Sequence, residues 1–133
     1  MLILDTHVLI WLAEGNSRLG KSALKCIDQS LADDQLGVGT ISFWETAMLV
    51  EKGRLTIKTD LGIWRTELLG AGLIEIPLRG TTAIRAAQLE HFHGDPADRM
   101  IMATAIENSA SLVTADEKIL SWDGFDHAID ARL

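Results

Sequence analysis

Four carboxylates stand where the surrounding pattern carries them to the ends of buried elements: Asp5, Glu45, Asp98 and Asp116. Asp5 closes the apolar run Leu2-Ile-Leu, and Asp116 follows Leu112-Val-Thr114 by one residue. Asp98 precedes Ile101 and Met102 by one helical turn, and Ala105 continues that stripe. Its charge therefore points along an apolar face, which is costly unless something pairs with it. Glu45 shares a helix face with Met48 and Leu49 in the same way. Carboxylates gathered together repel and raise one another's pKa. A hard divalent cation with oxygen ligands relieves that repulsion, and Mg²⁺ or Mn²⁺ suits such a set.

Each acid also has a purely local explanation. Ser42-Phe-Trp-Glu45 matches a capping box, in which Glu45 reaches back to the Ser42 N–H. Asp5 and Asp116 are placed to cap the helices that follow them, and Asp98 sits where a helix dipole favours a negative charge. Capping and metal binding are compatible for neighbouring groups in one turn.

The elements that must position these groups alternate. Strands are read at Leu2–Asp5, Leu36–Ile41, Leu73–Ile76 and Ser111–Thr114, with a last one within 125–129. Helices are read over 6–13, from 17 or 19 to 31, after Ser42 to about Val50, over 60–69, over 81–89, and from Pro96 through Ile106, with a short one holding Ile119 and Leu120. Asp95 falls at an N-cap, and Pro96 at the first helical position, where its missing N–H costs nothing. Alternating strands and helices predict an α/β fold, a three-layer α/β/α sandwich around a central, mainly parallel sheet. Ligands of such sheets bind beyond the carboxyl ends of the strands, which is where the acids fall.

The bulk numbers bound the rest. A length of 133 residues and 47% apolar content suit one domain, 1–133, with one sizeable core. No run approaches a membrane span, and no basic region precedes the first apolar residues, so neither membrane insertion nor a signal peptide is expected. Cys26 is the only cysteine, which excludes an internal disulfide and suits a cytoplasmic location. Its neighbours Leu24, Ile27 and Leu31 predict a packed thiol. A net charge of −7 speaks against a nucleic-acid binder. That objection weakens if clustered acids serve a cation, which reduces the local negative field.

With these positions placed, the chain resembles a PIN-domain ribonuclease, nearest in pattern to the VapC-type toxins of toxin–antitoxin pairs. The resemblance rests on Leu4-Asp-Thr-His7, Ser42-Phe-Trp-Glu45, Lys52-Gly-Arg-Leu55, Asp95-Pro-Ala-Asp-Arg99 with its Ile101–Ala105 helix, and Leu112-Val-Thr-Ala-Asp116, in that order along the whole chain. It implies a PIN-like fold and an acidic site of Asp5, Glu45, Asp98 and Asp116. Asp5 and Asp98 would be direct metal ligands, and Glu45 and Asp116 would bind directly or through water. The Asp95–Asp98 element offers two acids, and Asp95 is given the cap. Thr114 matches a hydroxyl position that helps orient water in such sites, with Thr6 a weaker one of that kind. The resemblance further implies Mg²⁺- or Mn²⁺-assisted hydrolysis of RNA phosphodiesters, leaving 5′-phosphate and 3′-hydroxyl ends. It also implies an antitoxin partner whose segment obstructs the site, and a homodimer.

Other residues bear on rival readings. His91 and His93 lack the further nitrogen or sulfur ligands a zinc site needs, and His7 receives no role. Arg99 adjoins the site, either toward substrate phosphate or in a structural ion pair. The four tryptophans fit a core better than a base-stacking surface, although Trp11 and Trp44 could line a groove for a partner peptide. One rival keeps the fold but reads the acids as caps in a catalytically silent RNA- or protein-binding module. Another is a receiver-type signalling domain, which would want paired acids after the first strand and a lysine after the last core strand. Asp5 stands alone, and Leu112-Val-Thr114 offers no lysine.

Overall fold

The structure is a computed structural model and describes residues 1–133. Five strands form one wholly parallel sheet in the order β3-β2-β1-β4-β5. They are β1 (Leu2–Leu4), β2 (Leu36–Gly39), β3 (Ile74–Ile76), β4 (Ser111–Thr114) and β5 (Ala128–Asp130). The helices are α1 (Thr6–Glu14), α2 (Lys21–Ala32), α3 (Thr40–Glu51), α4 (Leu61–Gly70), α5 (Gly80–Gln88), α6 (Pro96–Glu107) and α7 (Glu117–Leu120).

The period of two along each strand divides the core. Leu2, Leu4, Val38 and Val113 pack with Val8, Leu9, Ala23 and Ile27 of α1 and α2 on one face. Ile3 and Leu112 pack with Ile101, Met102 and Ala105 of α6 and Ile119 of α7 on the other. Both faces of the sheet are therefore covered, giving the three layers expected. From β1 the chain builds outward to β2 and β3, then returns to lay β4 on the other side of β1. The strand order thus reverses between β1 and β4, and the crevice beyond their carboxyl ends is where such sheets bind ligands.

Two features of the chain fix how the helices meet that crevice. Gly15 takes φ 65° after α1, and its N–H returns to the Leu12 and Trp11 carbonyls, so α1 stops after little more than two turns. Asp95 caps α6 through a bond to the Asp98 N–H, with Pro96 in the first turn as expected. No helix is long and apolar enough to cross a membrane.

Three expectations are corrected. Strand β2 ends at Gly39, and α3 starts at Thr40, so Ser42 lies inside the first turn and is not the cap. The capping-box reading of Ser42 and Glu45 fails with it. Trp44 is 54% exposed, whereas Trp11 and Trp64 pack against the core and Trp122 is half-buried. Cys26 is exposed, because α2 buries the stripe of Ala23 and Ile27 and leaves Leu24 and Cys26 on its flanks. One thiol is therefore expected to react with Ellman's reagent in the native protein at a rate close to that in denaturant. A thiol that becomes reactive only on unfolding would contradict this placement.

Candidate metal centre

The crevice between β1 and β4 gathers the acids. Asp5 directly follows β1 and is 5% exposed. Both of its oxygens are engaged: Oδ1 accepts from the Thr6 N–H at 2.8 Å, and Oδ2 from the Thr114 hydroxyl at 2.7 Å. The Thr114 hydroxyl also accepts the Asp116 N–H at 3.1 Å. Thr114, buried at the end of β4, therefore ties the first acid to the last. With its proton given to Asp5, that hydroxyl acts by holding Asp5 in place.

Glu45 reaches the same crevice from α3. Its Oε1 accepts from the Thr6 hydroxyl, which lies 2.9 Å from the Ser42 hydroxyl. Thr6 and Ser42 are fully buried, so a polar patch bridges α1 and α3 beneath the carboxylate. This is the role that replaces the capping box. Thr6 contacts Glu45 rather than open space above the crevice.

Asp98 comes from the first turn of α6, with its side chain 15% exposed. Its Oδ2 lies 2.7 Å from His93 Nε2. Asp116 caps α7 by accepting the Lys118 N–H at 2.9 Å through Oδ1. Asp95 spends Oδ1 on the Asp98 N–H at 3.1 Å. Each cap uses one carboxylate oxygen and leaves the other available, so the local and the functional explanations of Asp95 and Asp116 hold together.

Ligand atoms fall into two close groups that share Asp98. Glu45, Asp95 and Asp98 lie within 4.8 Å of one another, and so do His93, Asp98 and Asp116. Neither group includes Asp5, whose buried carboxylate lies near enough for its charge to raise Glu45 and Asp98. All four expected acids meet at this end of the sheet, joined by Asp95 and by His93, which sequence reasoning left without a role.

Electrostatics mark the crevice. Burial raises the Asp98 carboxyl to about 6, against the bond from His93, and the charges of Asp5, Asp95 and Asp116 raise it further. Burial likewise raises Asp5, opposed by its bonds to Thr114 and Thr6. Glu45 is raised by burial, opposed by Thr6, with Asp5 and Asp95 adding repulsion. No lysine or arginine pairs with any of these acids; the ion pairs of Arg65, Arg85 and Arg132 all lie with other carboxylates. A set of carboxylates held together without basic partners fits a hard dication as its counter-charge.

Arg99 is not available to a substrate. Its guanidinium donates to the carbonyls of Ala86, Ala87, Leu89, Phe92 and His93. It stitches the end of α5 and the following loop onto α6, which is neither of the alternatives read from sequence. Beside the acids opens a cavity of about 1160 Å³ lined by residues that include Arg85, His91, Lys118 and Trp122, and His93 is common to its wall and to the crevice.

Comparison with known proteins shows the family and the fold. The family model described as PIN domain matches residues 2–124. Ribonuclease VapC22 of Mycobacterium tuberculosis is 35% identical over 121 residues, which is 90% of each chain. Two solved structures share the fold. A toxin–antitoxin complex from Klebsiella pneumoniae has TM-score 0.69 at 19% identity, covering 98% of both chains. VapBC2 from Rickettsia felis, bound to a DNA fragment from their promoter, has TM-score 0.71 at 14% identity, covering 97% of this chain and 98% of the other.

Proposed function

Because this chain belongs to the PIN-domain family, we propose that it is a metal-dependent endoribonuclease and the toxin of a toxin–antitoxin pair. The observation that carries the reading is the convergence of Asp5, Glu45, Asp95, Asp98 and Asp116 on one crevice with no lysine or arginine partner. The likeness to a protein named ribonuclease supports RNA as the substrate. The likeness to toxin–antitoxin complexes supports a protein antitoxin. The reading also takes 1–133 as one catalytic unit, active as a homodimer in the cytoplasm.

Within this proposal Asp5, Glu45, Asp98 and Asp116 hold Mg²⁺ or Mn²⁺, directly or through water, and Asp95 joins them through its free oxygen. When bound, such an ion neutralises charge on a scissile phosphate and makes water a better nucleophile at neutral pH. Asp5 is a fixed negative charge in the crevice. Thr114 and the Thr6 N–H hold its carboxylate immobile, so no reorganisation is needed when substrate arrives. Thr6 fixes the rotamer of Glu45. In-line attack of water would leave a 5′-phosphate and a 3′-hydroxyl.

The test is incubation of the chain, purified free of any antitoxin, with RNA in Mg²⁺, Mn²⁺ or EDTA, followed by analysis of product ends. Cutting that needs a dication and leaves 5′-phosphates is expected. A binding module without catalysis would shift RNA or protein partners in gels while leaving every RNA intact in both metals.

A further inference from the structure

We propose that His93 is itself a metal ligand, and that the His93, Asp98 and Asp116 group takes a first-row transition dication such as Mn²⁺ in preference to Mg²⁺. The proposal deepens the reading of the crevice as a metal centre, but its test does not depend on RNA cleavage.

The two groups that share Asp98 differ in chemistry. Glu45, Asp95 and Asp98 offer oxygen alone, whereas the second group brings an imidazole nitrogen within 4.8 Å of two carboxylates. Oxygen donors suit Mg²⁺ and Mn²⁺ alike, but a nitrogen donor favours first-row transition dications over Mg²⁺. His93 Nε2 and Asp98 Oδ2 share a hydrogen bond at 2.7 Å, so both already aim at one point, and a dication would take the place of the shared proton. Two donors each about 2.1 Å from an octahedral ion and at adjacent vertices lie roughly 3.0 Å apart, so the pair need open by only a few tenths of an ångström.

His93 is also built to stay in place. Its carbonyl accepts from Arg99 at 3.0 Å, and the carbonyl of Phe92 accepts from the same guanidinium at 2.8 Å. The ring stacks on Phe92 with centroids 4.4 Å apart. Its side chain is 18% exposed, with Nε2 aimed at the carboxylates and one side on the neighbouring cavity. A mere surface histidine needs none of this. Bound as the neutral imidazole, it coordinates through Nε2 and keeps its proton on Nδ1.

The experiment loads EDTA-stripped full-length protein with substoichiometric Mn²⁺ and records electron spin-echo envelope modulation. Wild type is expected to show ¹⁴N modulation from a directly bound imidazole, and His93→Gln to lose it. In calorimetry, His93→Gln is expected to weaken Mn²⁺ by at least the 10- to 100-fold typical of disturbing a metal's supporting shell, with Mg²⁺ affinity little changed. Mn²⁺ binding without nitrogen modulation would overturn the proposal, as would equal weakening of both ions; His93 would then only orient Asp98. Failure of wild type to bind either ion would overturn the metal reading as well. The wild-type spectrum stands whether or not His93→Gln folds.

Discussion

Replacing Asp98 by Asn is expected to lower RNA cleavage by about 10³-fold or more, the scale of losing a principal electrostatic group in an active site, while leaving the protein at least as stable as wild type. The stability half follows from burial. Asp98 is raised from 3.8 to about 6, chiefly by desolvation. A carboxyl whose folded pKa lies above its unfolded value favours the folded state at low pH. That stability is fully present below the unfolded value near 4 and is lost as pH rises through about 6. The shift amounts to about 3 kcal/mol at roughly 1.4 kcal/mol per pKa unit. Asp98 is part-exposed, and solvent screening cuts this to about 1–2 kcal/mol. Urea unfolding of EDTA-treated protein should therefore show wild type weakening between pH 4 and pH 7, with a shallower slope in Asp98→Asn, where only the raised Asp5 and Glu45 still contribute. A variant that is badly destabilised but still cuts RNA would make Asp98 a structural residue.

Arg99→Lys is expected to cost about 3 kcal/mol of stability, an effect large for a single charged residue outside the crevice. One guanidinium serves five carbonyls around a bend. A lysine ammonium carries three donors on one point and cannot span that arc. The carbonyls left without partners bear the desolvation cost of each lost bond. The guanidinium also lies over the Phe92 ring, 5.9 Å from its centroid. The same change frees the His93 carbonyl, so activity should fall along with the urea midpoint even though Arg99 touches no acid. An unchanged midpoint would show that the loop holds its shape through other contacts.

These two residues also show what a sequence reveals and what it hides. The strand ends were legible because buried parallel strands read as short apolar runs, and Asp5 and Asp116 follow two of them directly. Asp98 was legible through the stripe it shares with Ile101 and Met102. Glu45 is legible through the helix face it shares with Met48 and Leu49, whereas the rival capping-box reading fails. Gly37 and Gly39 obscured where β2 ends, and the early start of α3 turns Ser42 from a cap into a buried partner of Thr6. His93 was hidden because only the shape of the 89–95 loop, with His91 at φ 58°, brings it back over the start of α6. Arg99 was hidden for the same reason: its partners are backbone carbonyls, which carry no residue-type signal. Cys26 was misplaced because its apolar sequence neighbours do not share its helix face.

The most direct measurement is RNA cleavage by wild type and Asp5→Asn side by side, each with Mn²⁺, Mg²⁺ or EDTA. Asn keeps the shape of Asp5 and an oxygen for the Thr6 N–H, so the fold should persist, as circular dichroism would check. The account predicts dication-dependent cutting by wild type and none by Asp5→Asn. Equal cutting by the two proteins would contradict it, since Asp5 would then have no part in the chemistry.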